Sequence, residues 1–146
     1  MPIAVLLLAA APVQTIRYET GACFGFCPAY VVTVSSDGRG VFVPRGATAT
    51  KRTRRFAVTP AQFAAFARAL KPVRPNGEVL IEPGRPLCRV AATDQVTVDV
   101  RWMGGQGDPR HLSFYQGCDM GTHRDLEKAV ARAPAALPIA GLIGRR

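Results

Sequence analysis

Apolar and polar residues alternate with a period of two along much of this chain, and each such stretch predicts a strand with one buried face. QTIRYET, residues 14–20, sets Ile16, Tyr18 and Thr20 on one side. AYVVTVSSDGRGVFV predicts a hairpin in which Asp37-Gly38 forms a two-residue type I′ turn, because both positions of that turn need positive φ. This turn places Val34 opposite Val41 and Val32 opposite Val43. Tyr30, Val32, Val34, Val41 and Val43 are then expected to share the core face. A fourth strand is expected over residues 48–58, carrying the basic cluster Lys51, Arg52, Arg54 and Arg55.

The period then changes to that of a helix. Thr59 is placed to cap, Pro60 suits the first helical position, and Gln62 completes a Thr-x-x-Gln capping box. Val58 and Phe63 are spaced as a hydrophobic staple across that cap. Phe63, Phe66, Ala67 and Leu70 recur at i, i+3, i+4, i+7 as one buried stripe, and Pro72 is expected to end the helix. Residues 72–87, rich in Pro and Gly, predict a long loop. DQVTVDVRWM returns to period two with Val96, Val98, Val100 and Trp102 in line. GGQGDPR reads as a hairpin loop leading to HLSFYQ, where Leu112 and Phe114 alternate; it lacks the helix and lysine that a phosphate loop requires. Thr122 is expected to cap a second helix bearing Leu126, Ala129, Val130 and Ala133, closed by Pro134. Strands joined by short connections and followed by helices predict an α+β fold, an antiparallel β-sheet with two helices packed on one face.

The N-terminus alters the picture. Residues 3–11 form an apolar run ending in small residues, too short for a lasting membrane anchor and expected to be a signal peptide over residues 1–11. Residues 12–146 are then a single domain, long enough to bury a core without a cofactor. The four cysteines agree with a periplasmic or secreted location. A net charge of +9 and an isoelectric point near 10.3 make the protein basic and attractive to anionic surfaces. That attraction needs no dedicated site.

Topology suggests the cysteine pairing. Cys88 precedes the Val96 strand and Cys118 follows the Leu112 strand, so an antiparallel pair brings them together and leaves Cys23 for Cys27. CFGFCPAY then reads as a disulfide-closed turn, with Gly25 able to take positive φ and Pro28 at the head of a strand. The competing reading is a thiol–disulfide redox or Cu(I)-handling site, since C-x-x-x-C-P also occurs in copper-delivering thioredoxin-like proteins and soft thiolates select Cu(I). A helix N-terminus usually activates such a dithiol, and here an alternating β-branched run follows instead.

CFGFCPAY followed by VVTVSSDGRGVF resembles the opening of a family of exported bacterial domains, domain of unknown function 6438. The resemblance rests on Cys23, Phe24, Gly25, Cys27, Pro28, Tyr30, Asp37 and Gly38, with Thr93 and Asp94 similar to a later Thr-Asp pair. It spans about residues 14–131. It supports the fold and the export, and it implies no catalytic residue.

Little else points to chemistry. Asp94, His111, Ser113 and Asp125 include the types found in nucleophile–base sets, but their spacing does not bring them together, and Asp94 reads as a loop cap. His111 and His123 read as solvated rather than metal ligands. KRTRRF reads first as a charged edge strand, protected against pairing with other chains, and second as a possible anion-binding surface through Lys51, Arg52, Arg54 and Arg55. Aromatic residues are not interleaved there for base stacking, so no specific nucleic-acid partner is expected. No cofactor, metal or catalytic residue is expected. The protein is expected to act as a binding module for an envelope protein or an anionic surface.

Overall fold

In a computed structural model, described for residues 5–105 and 107–144, seven strands form one sheet in the order β4-β3-β2-β1-β6-β7-β5. The strands are β1 (Gln14–Thr20), β2 (Ala29–Ser35), β3 (Arg39–Gly46), β4 (Arg54–Ala57), β5 (Glu78–Ile81), β6 (Thr97–Gly104) and β7 (Arg110–Tyr115). Helices α1 (Pro60–Leu70) and α2 (Arg124–Arg132) contribute Phe63, Phe66, Leu70 and Val130 to the core. A short α3 (Ala140–Ile143) follows. The fold is α+β. No helix among the described residues is long and apolar enough to cross a membrane.

The alternating stripes explain most of the core. Ile16 and Tyr18 on β1 lie beside Val32 and Val34 on β2 and beside Val100 and Trp102 on β6. All six are buried. The capping box of α1 is complete: Gln62 N–H donates to Thr59 Oγ1 at 3.1 Å, and Thr59 N–H donates to Gln62 Oε1 at 3.0 Å. The Tyr18 hydroxyl donates to the Val130 carbonyl at 3.0 Å, tying the sheet to α2.

Four expectations need correction. The β2–β3 register is shifted by one: Val32 faces Phe42 and Val34 faces Gly40, which moves Val41 and Val43 to the open face beside Thr33 and Val31. The cause is the turn. Ser35 accepts from Gly38 N–H at 3.0 Å and only Gly38 has positive φ (96°), so the loop has three residues, a type I turn closed by a left-handed glycine. Phe42 thereby takes the fully buried position. The fourth strand is only Arg54–Ala57; Lys51 and Arg52 lie in the connection before it.

Residues 78–81, expected inside a loop, form β5, which pairs parallel to β7. The sheet is therefore mixed, antiparallel at every pairing but this one. The chain reaches that position by crossing the core face through α1, from the β4 edge to the opposite edge. Finally, α2 begins at Arg124 behind His123, with no side-chain cap, so Thr122 does not fill the capping role. Of the apolar N-terminal run, residues 1–4 lie outside the described residues, as does Gln106 of the GGQG loop; Leu6, Leu7 and Leu8 are exposed.

Candidate functional site

One end of the sheet gathers the connections 21–28, 47–53, 82–96 and 116–123, and with them all four cysteines. Cys23 is bonded to Cys27 with Cα atoms 5.5 Å apart, and Gly25 between them has φ 122°. A five-residue ring this tight turns its intervening side chains outward. Phe24 is 86% exposed and Phe26 93% exposed. Pro28 then leads into a strand, so neither cysteine sits at the start of a helix. Tyr30, two residues on, is buried and stacks on Phe42 at 5.0 Å. Burial pushes its hydroxyl pKa up to about 12, so it is a neutral core group.

The second bridge joins Cys88 to Cys118, with Cα atoms 5.1 Å apart. Asp119 holds the same crossing: its carboxylate accepts from Arg89 N–H at 3.1 Å and Val90 N–H at 3.0 Å, and those amides hold its pKa below the usual carboxylate range. Tyr115 adds a third tie, donating to the Ala92 carbonyl at 2.7 Å and accepting from Gln95 N–H at 3.2 Å. Between those contacts Asp94 adopts φ 60°, a left-handed conformation that Asp tolerates better than most residues. The Phe24 N–H reaches the Asp94 carbonyl at 3.4 Å. Thr93 supplies a carbonyl to the Gln95 side chain at 3.3 Å. Asp94 thus buttresses the cysteine turn through its backbone carbonyl, while Thr93 steadies the Asp94 loop.

Two hollows meet at that turn. One, of about 740 Å³, lies among Phe24, Phe26, Pro28, Thr48 and Lys51. The other, of about 530 Å³, runs beneath the C-terminal segment past Tyr18, Tyr30 and Val98. Cys27, Pro28, Ile143 and Gly144 line both. Around the turn, loops at this end expose Leu87, Val90 and Met120 as well. The arrangement offers apolar contact area on a covalently closed scaffold, with Lys51 in the lining of one hollow. Tyr115 and Asp119 carry no motif of their own in the sequence, and only the fold shows what they hold.

The family model for Domain of unknown function (DUF6438) matches residues 14–134, from the first strand to the end of the second helix. The chain belongs to that family. No curated protein and no solved structure matches it. In this DUF6438 member the cysteine turn, both disulfides and the Thr93-Asp94 pair all fall inside the matched span. The C-terminal segment that closes the hollows, including Leu137, Ala140 and Ile143, lies beyond it.

The other residues singled out in the sequence are dispersed. Asp37 and Gly38 sit at the opposite end of the sheet, where Asp37 pairs with Arg39 at 2.8 Å and shapes the hairpin. The basic cluster divides: Lys51 donates to the Thr48 carbonyl, Arg52 is in the connection, and Arg54 and Arg55 occupy opposite faces of the β4 edge strand. On the open face His111 and Ser113 project from β7 next to Asp99 of β6. They form no nucleophile–base pair. Ser113 Oγ donates to Glu82 at 2.6 Å, while His111 is held by Asp99 at Nε2 (2.6 Å) and by Glu78 at Nδ1 (2.8 Å). Carboxylates on both nitrogens favour the imidazolium form, which cannot take a proton from serine. His123 packs edge-on against Phe114, with ring centroids 5.8 Å apart, at the start of α2 with Asp125. No group of three or more His, Cys, Asp and Glu side chains placed to hold a metal occurs among the described residues.

Proposed function

We propose that this chain is an exported, non-catalytic binding module that grips the apolar surface of a partner protein with Phe24 and Phe26. The observation carrying the proposal is the exposure of both rings, 86% and 93%, on a turn closed by a disulfide. Aromatic anchors dominate protein interfaces because they bury much area at little conformational cost, and a closed turn lowers that cost further. The redox or Cu(I) reading lacks the helix N-terminus that would acidify a thiol.

The test compares immobilised wild-type protein with a Phe24→Ser/Phe26→Ser variant as bait in envelope extract, each with both bridges intact by mass. A discrete partner retained by the wild type and lost with the variant is expected. Equal retention by both baits, or no retained protein, defeats the proposal.

A further inference from the structure

A second cleft, of about 560 Å³, lies near the other end of the sheet, between the end of α1 and the meeting of β1 with β6. Its chemistry differs from that of the cysteine end. Arg68, Lys71 and Arg74 line it, spaced by three residues through the last turn of α1 and the 3₁₀ turn Lys71–Val73. The helix end and the turn that follows it bring all three cations to the wall of this one cleft. All three are exposed, and none has a carboxylate within ion-pairing distance among the described residues. No Asp or Glu lines the cleft. Beneath the cations are apolar groups: Ile16 and Trp102, both almost wholly buried, and Met103.

We propose that this cleft binds a monomeric anionic amphiphile, a carboxylate carried on an acyl or aryl body. Charge complementarity identifies the occupant. Guanidinium groups bind carboxylates through paired N–H donors, while the adaptable, partly exposed Met103 meets the apolar part over a floor formed by Ile16 and Trp102. The volume lies within the range of small-molecule sites. Nucleic acid does not suit the cleft, because no exposed aromatic residue lines it for bases to stack on in succession. A flat bilayer would touch the cations but not the recessed apolar groups. Cations at a helix C-terminus also complement its dipole, and a purely structural role of that kind predicts no ligand.

Trp102 is the only tryptophan in the chain, so its emission reports directly on the cleft. The full chain is titrated with decanoate, with decanol, and with phosphatidylglycerol vesicles. Decanoate is expected to give a saturable change in Trp102 emission, weakened by salt, with decanol at least about tenfold weaker. An Arg68→Gln/Arg74→Gln variant with an unchanged melting curve is expected to lose about tenfold in decanoate affinity and none in decanol affinity. Absence of a saturable decanoate response, equal responses to decanoate and decanol, unaltered decanoate affinity in the variant, or a response confined to vesicles overturns the proposal. The Phe24→Ser/Phe26→Ser variant leaves this signal intact, so the two binding proposals fail independently.

Discussion

Replacing His111 with Gln should remove a pH-dependent share of the stability. The His111 ring bridges three strands: it stands on β7 and bonds Asp99 of β6 and Glu78 of β5. Burial pushes the ring's pKa down. The hydrogen bonds to Asp99 and Glu78, with the Asp99 charge, outweigh that effect against a smaller push from Arg101, and the net direction is up. A raised folded-state pKa means the contribution is complete below the unfolded value of about 6.5 and disappears as pH rises through the folded value.

Its size follows from exposure. The side chains of His111 and Asp99 are 14% and 20% exposed, so that pair keeps much of its strength; Glu78 is 60% exposed, and solvent screens its pair heavily. Arg17 and Arg101 also compete for Asp99. A net contribution of about 1 kcal/mol results. Urea unfolding of wild type and His111→Gln at pH 5.5, 7.5 and 9 measures it. The wild type should lead by about 1 kcal/mol at pH 5.5 and converge on the variant by pH 9. Amides of β5, a four-residue edge strand paired only to β7, should exchange faster in the variant at pH 5.5. A stability difference that stays constant across the three pH values refutes the argument.

Removing the disulfides as Ala pairs should rank by loop length. Cys88 and Cys118 are 30 positions apart and their loss should cost about 3.7 kcal/mol; Cys23 and Cys27 are 4 apart and should cost about 2 kcal/mol, both read from urea midpoints. Asp119→Asn keeps tolerance of the left-handed φ of 43° but sets an NH₂ group against one of two backbone amides. Exchange of the Arg89 and Val90 amides should accelerate in that variant. In the wild type their protection should fall on acidification through the lowered carboxyl pKa, because a depressed folded-state pKa stabilises only above the unfolded carboxyl value. Arg52→Gln/Arg54→Gln should elute earlier from heparin if the exposed basic edge binds anions, whereas unchanged retention leaves Arg54 and Arg55 as edge protection alone.

The strands buried on one face were legible because alternation acts over several residues at once. Ile16 and Tyr18, or Val98, Val100 and Trp102, each announce a buried face without any knowledge of neighbours. The α1 boundary was legible because Thr59 and Gln62 satisfy each other locally. What failed depended on single φ values or on distant partners. The hairpin register turned on whether Asp37 takes positive φ along with Gly38; it does not, and one extra loop residue exchanged Val43 for Phe42 on the core face. GEVLI is too short to show a period, and β5 exists because β7 offers it an edge. The ties made by Tyr115 and Asp119 bind backbone groups 20 to 30 residues away, which no local pattern encodes.

Phe24 and Phe26 are informative because the fold has no use for them. The core closes with Tyr30 and Phe42 on the strands and Phe63 and Phe66 on α1, and neither turn phenylalanine joins it. Burying a phenylalanine is worth about 1.5–3 kcal/mol, so two left in water forgo a gain that a polar residue at either position would not. Scattered exposed apolar residues are ordinary, but these two flank Gly25 inside one disulfide ring. Their backbone is further fixed by the Asp94 contact, while Asp94 is held in its turn by Tyr115 through Ala92 and Gln95. A ring whose only task was to start β2 would work equally well with serine at both positions, since both side chains are exposed and neither packs against the core. Rigidity without burial is what a contact surface requires: the entropy of ordering the turn is met during folding, so a partner that covers the rings gains nearly all of their transfer free energy.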